Sequence, residues 1–210
     1  MRSATLWIIA ANVLVFMIVR LLILFHPGGA DFVMDIVALK PAFILSGKYL
    51  WTIITSMFTH VFFFHLFANM FSLLFLGSFL ERIIRQKRFL ALYFGAGIAG
   101  ALLFIAASAI TGEVDISAVG ASGAVFGVAG MLAVLTPKVP VYIMFIPIAI
   151  PMWLGVILIL TLLWVLSISL GLPIGNTAHL GGLLVGVGYA FYLRYRYKRK
   201  AKMIAKFYSR

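Results

Sequence analysis

The chain has no cysteine among its 210 residues. Disulfides and thiolate metal ligands are therefore excluded, and cysteine usage says nothing about redox compartment. Acidic residues are scarce too: five Asp and Glu stand against seventeen Lys and Arg, a formal net charge of +12. Charged residues of all kinds make up 10% of the chain, too few to solvate a soluble domain of this length. The His-Glu-x-x-His pattern is missing, and no acid stands at ligand spacing from the histidines. A zinc site built from His60, His65 and His179 is thus a disfavoured reading, and neither a metal nor another cofactor is expected. No internal repeat is evident, so the inverted-repeat signature of many transporters is missing as well.

Apolar residues dominate instead, at 64% of the chain with a mean hydropathy of +1.16. Windows of about 20 apolar residues recur, which implies an all-α, multi-spanning membrane protein. Spans are expected at about 4–25, 62–83, 89–110, 153–170 and 176–195, with a shorter fourth helix from Ser122 to near Thr136. The first apolar run lacks a small-residue cleavage site and reads as a retained span. Residues 27–60 are too polar to span and too apolar for a free loop, so short interfacial pieces are expected there, with Tyr49 and Trp51 at headgroup level. Four prolines, Pro137, Pro140, Pro147 and Pro151, argue against a straight helix over 138–152, where a turn and an interfacial piece are expected. Gly171–Gly175 reads as a tight outer loop.

The placement of charge orients the chain. Eight basic residues lie between Arg194 and Arg210, and Arg82, Arg85, Lys87 and Arg88 crowd one short loop. This is the positive-inside pattern rather than a nucleic-acid patch. Six spans then leave both termini cytoplasmic and Asp31, Asp35, Glu113 and Asp115 outside. Residues 1–195 are read as the transmembrane domain, and 196–210 as a basic cytoplasmic tail lying against anionic headgroups.

The stretch around which the rest is arranged is Gly120-Ala121-Ser122-Gly123-Ala124-Val125-Phe126-Gly127. A helix of about 14 residues starting at Ser122 is only ~21 Å long. A bilayer core is ~30 Å thick. One end must lie below the surface, and Pro137-Lys138 marks the other end as cytoplasmic. The buried end therefore begins with Ser122. Free N–H groups at that depth are tolerated only where they line a wet cavity.

Few other polar side chains sit inside spans: His65, Asn69, His179 and Asn176, all expected at the depth of Ser122. His65 and Asn69 share one helix face at i, i+4. Gly182 and Gly186 lie near the face of His179 and form a small-residue strip that matches Gly123 and Gly127. If the strips pack, His179 can reach Ser122, and Phe126 can stack on the imidazole. A serine so paired is an activated nucleophile, and the Ser122 backbone N–H, Asn69 and His65 are candidate oxyanion donors. The plainer reading of His65 and Asn69 is interhelical hydrogen bonding. His60 reads as structural. Glu113 or Asp115 could complete a triad, but a Ser-His dyad is the expectation.

Gly120-Ala121-Ser122-Gly123, His65-xxx-Asn69 after His60, and Ala178-His179-xx-Gly182-xxx-Gly186 together resemble the rhomboid intramembrane serine proteases, over nearly the whole chain. The resemblance implies a six-helix bundle with a short central fourth helix. Ser122 is then the nucleophile, His179 the general base, and His65, Asn69 and the Ser122 amide the oxyanion hole. Phe126 stacks on the base, and His60 and Glu81 are structural. Trp51-Thr52 departs from the Trp-Arg of many members. The activity implied is cleavage of other proteins' transmembrane segments near the outer membrane surface, in a prokaryotic plasma membrane, with no nucleic-acid partner. The alternative is a catalytically inactive rhomboid-like factor that binds membrane proteins. The oligomeric state is not legible in the sequence.

Overall fold

The computed structural model describes residues 3–142, 148–170 and 175–208. It is a helical bundle. In chain order its α-helices are α1 (Ala4–Phe25), α2 (Gly29–Val37), α3 (Pro41–Leu45), α4 (Thr52–Thr55), α5 (Phe63–Ser72), α6 (Ser78–Ile84), α7 (Gln86–Thr111), α8 (Ser122–Leu135), α9 (Met152–Leu170), α10 (Asn176–Arg196) and α11 (Lys198–Phe207), of which α1, α7, α9 and α10 are long. The second expected span is helical from Phe63 to Ile84, but one wider π-type turn at Leu73–Gly77 divides it. Gly77 sits there with Leu73 and Thr5 pressed against it. Among the described residues four helices are long and apolar enough to cross a membrane: Ala4–Phe25, Phe63–Ile84, Gln86–Thr111 and Met152–Leu170. Large apolar side chains such as Leu14, Phe63, Phe75, Ile157 and Ile168 are exposed on these helices, as lipid contact demands. The protein is thus an all-α, multi-pass membrane protein. The expected Gly171–Gly175 loop lies outside the described residues, apart from Gly175 itself.

The short helix α8 (Ser122–Leu135) is the core. Its sequence is apolar on every side, the pattern of a helix surrounded by protein, and eleven of its fourteen residues are buried. It packs most extensively on α10 and α7. Helix α9 is peripheral by contrast, with Met152, Gly155 and Val156 its buried residues.

The α8–α10 contact is backbone on backbone. A Cβ added to Gly182 would overlap the Gly123 carbonyl, and one on Gly186 would overlap that of Gly127. Helix α7 closes the third side, where a Cβ on Gly100 would lie 2.6 Å from the Ala178 carbonyl oxygen and one on Gly181 2.9 Å from that of Ala99. Gly127 lies against Ala96 of α7, which sets the level of Ser122. Ser122 starts α8 near the height of Gly100, while α7 continues to Thr111, roughly 16 Å further along the axis.

Residues 112–121 therefore descend back into the bundle. They hang on the long loop after α1. Leu39 and Ala118 exchange two backbone hydrogen bonds (3.0 and 2.8 Å), the Ala42 N–H donates to Val114 (2.9 Å) and the Gly120 N–H to Ser56 (2.8 Å). That loop holds short helices at Gly29–Val37, Pro41–Leu45 and Thr52–Thr55, in keeping with the short pieces expected. The Trp51 indole donates to the Ile36 carbonyl at 2.9 Å, and the buried Thr52 hydroxyl to Tyr49 at 2.8 Å.

One element differs from expectation. Where a turn and an interfacial piece are expected over 138–152, Pro140–Tyr142 pairs antiparallel with Ala149–Pro151 in register Pro140↔Pro151, and residues 143–147 between them lie outside the described residues. Both prolines sit at strand ends, where a missing N–H is tolerated. Within the expected basic tail, Lys198–Phe207 forms a helix with one side partly covered by the bundle. At the same end Glu81 closes the start of α1. It accepts hydrogen bonds from the Ser3 hydroxyl (2.8 Å), the Ala4 and Thr5 amides (2.8 and 3.0 Å) and the Thr5 hydroxyl (2.8 Å). The carboxylate thus satisfies free N–H groups of the first turn and favours the positive end of the helix dipole.

The glycine seam gives an expected outcome. Gly186→Ala should destabilise the protein by about 1–3 kcal/mol through forced separation of α8 and α10. Gly188→Ala has open space at its Cβ and should be neutral or slightly stabilising. Thermal unfolding of both variants in detergent checks the contrast.

Candidate active site

Ser122 is the first residue of α8 and His179 lies in the first turn of α10. The glycine seam sets these two helix starts side by side. Ser122 Oγ and His179 Nε2 are 2.8 Å apart. His179 is 6% exposed, and the Phe126 ring, one turn below Ser122, stacks on the imidazole at 4.7 Å between centroids and 24° between planes. One ring face is thereby fixed by an apolar neighbour and the ring edge by a hydroxyl. His179 Nδ1 has no hydrogen-bond partner among the described residues. Asp115 faces Lys40 instead, at 3.6 Å on the exposed loop, and Glu113 is exposed. No carboxylate therefore meets the histidine among the described residues.

The opposite wall comes from Phe63–Ile84. Gly120, two residues before the serine, has φ +115°, a conformation that L side chains rarely adopt. A Cβ there would lie 2.7 Å from His65 Nε2 and 3.8 Å from Asn69 Nδ2. Both side chains thus border the loop that delivers Ser122. Asn69 is buried, and its amide donates one hydrogen to the His65 carbonyl at 3.0 Å. An amide nitrogen carries two hydrogens, so a second remains to give.

His60 is 1% exposed and lies beneath the same loop, where its Nε2 accepts from the Ala121 N–H at 3.5 Å. Its ring meets that of His65 edge-on at 4.9 Å. Asn176 opens α10 three residues before His179, with its side-chain oxygen buried and without a partner among the described residues. Among the described residues no three His, Asp or Glu side chains converge on a metal-sized space.

Ser122, His179, Phe126, His65, Asn69, His60, Gly120 and the four seam glycines are thus gathered at one place. Ser56, whose carbonyl holds Gly120, and Gly181, which admits α7 to the α10 backbone, carry no signal in the sequence that singles them out.

Gly120→Ala is expected to strain the backbone and push the His65 ring aside, with a stability loss of about 1–3 kcal/mol. In histidine-labelled protein the ring signals of His65 should shift while those of the distant His26 stay in place.

Comparison with known proteins bears on this arrangement. The rhomboid domain model matches residues 47–196, which include every residue of the site. The chain is 34% identical over 167 residues to RHOMBOID-like protein 1 of Arabidopsis thaliana, covering 76% of this chain and 39% of that protein. It is 33% identical over 150 residues to Rhomboid protein 1, mitochondrial, of Saccharomyces cerevisiae, covering 68% and 41%. It is 30% identical over 187 residues to the human Presenilin-associated rhomboid-like protein, mitochondrial, covering 88% and 47%. The chain spans less than half the length of these relatives. They are plant and mitochondrial proteins and lend no support to the expected prokaryotic plasma membrane. With the domain match extending over more than two thirds of the sequence, the chain belongs to the rhomboid family.

Proposed function

We propose that this protein is an intramembrane serine endopeptidase acting on transmembrane segments of other proteins. The observation that carries the reading is the 2.8 Å separation of Ser122 Oγ and His179 Nε2, at a helix start set roughly 16 Å below the end of α7. The short length of α8 lowers the hydroxyl into the bilayer's depth, where Ser122 itself is part-exposed.

A substrate helix hides its carbonyls in internal hydrogen bonds, so the scissile region unwinds first. Segments weakened by Gly or Pro near the outer surface are favoured. Ser122 Oγ attacks the carbonyl carbon as its proton passes to His179 Nε2. The carbonyl oxygen becomes an oxyanion, stabilised by the Ser122 N–H, the second Asn69 hydrogen and His65. Collapse breaks the C–N bond, and the leaving amine takes the proton from Nε2. Water then gives a proton to His179 while its oxygen attacks the ester. The new carboxyl end departs, and Ser122 regains its proton. Phe126 holds the imidazole in plane throughout, in place of the third residue of a triad.

The basic residues at 82–88 and 194–210 support cytoplasmic termini and a site that opens to the extracytoplasmic side. The proposed unit is a six-helix transmembrane domain over 1–195, in which α8 and α10 add to the four helices of spanning length. Residues 196–210 form the basic cytoplasmic extension.

Cleavage of a single-pass reporter in liposomes tests the reading. Ser122→Ala and His179→Ala should each lower the rate by about 10³-fold or more. Asn69→Ala should lower kcat by about 10²–10³-fold. Equal cleavage by wild type, Ser122→Ala and His179→Ala would assign the activity to something else. No cleavage by the wild type of any helix-weakened segment would favour the inactive membrane-protein-binding reading.

A further inference from the structure

The helix that follows α10 is not required by the chemistry above, yet it is built with care. After the single residue Tyr197 the chain enters α11, Lys198–Phe207. The elbow is pinned to the first turn of α7: Arg88 Nη2 donates to the Tyr197 hydroxyl at 2.9 Å, and its guanidinium lies 4.8 Å from the Tyr197 ring centre.

At helical spacing the residues of α11 separate into three faces. Ala201, Ile204 and Ala205, with Tyr208 just beyond, are partly covered and face the bundle. Tyr208 meets Phe79 edge-on at 5.1 Å, and Ala205 and Tyr208 border a hollow with Thr136 and Pro137 below α8. Lys198, Lys202 and Lys206 form a second, exposed face at i, i+4 and i+8. On the third face Met203 and Phe207 are 68% and 74% exposed, flanked by the exposed Arg199 and Lys200.

On the six-helix reading proposed above α10 is a span, so α11, one residue after it, starts at the level of a membrane surface. We propose that this third face binds the anionic phospholipid leaflet at the basic end of the bundle. Met203 and Phe207 enter the acyl boundary, and Arg199 and Lys200 engage phosphate groups beside them. The exposed Lys198–Lys202–Lys206 row adds long-range attraction, joined by the exposed Arg82, Arg85 and Lys87 around the neighbouring turn into α7. A soluble polyanion would meet the lysine row but offers nothing for two large apolar side chains to enter, so the lipid surface is the better fit.

The lack of cysteine makes the test direct. The full chain carrying Met203→Cys, and separately Lys202→Cys, is labelled with a polarity-sensitive fluorophore. Each is reconstituted in phosphatidylcholine vesicles with or without about a third phosphatidylglycerol, using chain-brominated lipid as quencher. Quenching is expected to be at least about twofold stronger at 203 than at 202 in anionic vesicles. It should fall in neutral vesicles, and in anionic ones when Arg199 and Lys200 are both changed to Gln. Unchanged melting of each variant in detergent shows that the fold survives. Equal quenching at 202 and 203, or quenching at 203 indifferent to phosphatidylglycerol and to the Gln pair, overturns the proposal. So does shielding of the 203 label from aqueous iodide by heparin but not by anionic vesicles, which assigns the face to a soluble polyanion.

Discussion

The structure depends on two helices touching through their backbones. Serine is a short side chain, so its hydroxyl reaches a neighbour only if the helices that carry the two groups lie unusually close. Ordinary packing at 8–10 Å between axes is set by side chains at the contact. Here Gly123 and Gly127 meet Gly182 and Gly186, and no side chain intervenes. In a bilayer, where lipid is as apolar as leucine, association rests on such van der Waals contact rather than on burial of apolar area. The same contact that holds α8 to α10 therefore also sets the Ser122–His179 distance. Stability and proximity are one property at this seam.

A second constraint is vertical. Helix α8 is too short to span, and the loop before it must descend among the helices with its polar backbone satisfied. The long loop after α1 supplies those partners through Leu39, Ala42 and Ser56, and His60 accepts from the Ala121 N–H. The descent leaves no room for a side chain at Gly120, where His65 stands. The wall that would donate to an oxyanion and the turn that presents the hydroxyl are thus fitted to each other. The plant and mitochondrial relatives share enough of this sequence to define a family, and the residues that define the site all fall inside the matched region.

Much of this was legible because membrane sequence patterns are local. The start of α8 at Ser122 followed from a glycine-rich stretch opening an apolar run. The approach of α8 and α10 followed from two glycine strips of equal spacing. The wedge of His65 and Asn69 followed from their i, i+4 relation. Features that join distant segments left no such trace. Glu81 reads locally as the charged end of a helix, and only the fold shows it closing α1, 77 residues away along the chain. The pairing of Pro140–Tyr142 with Ala149–Pro151 is made by strands of three residues, too short for any alternation to register. The π-type turn at Leu73–Gly77 answers to packing against Thr5 and Phe89, and the order of faces on α11 has meaning only once Tyr208 is seen against Phe79.

The central claim is that helix proximity, rather than the mere presence of a serine and a histidine, makes the hydroxyl reactive. The most direct measurement is mass-spectrometric mapping of a fluorophosphonate adduct on the bilayer-reconstituted protein, in the wild type and in Gly182→Leu. Gly182→Leu leaves Ser122 and His179 in place but forces α8 and α10 apart. The account predicts an adduct on Ser122 alone in the wild type and its loss in Gly182→Leu. An adduct on another serine, or equal labelling of Ser122 in the two proteins, would contradict it.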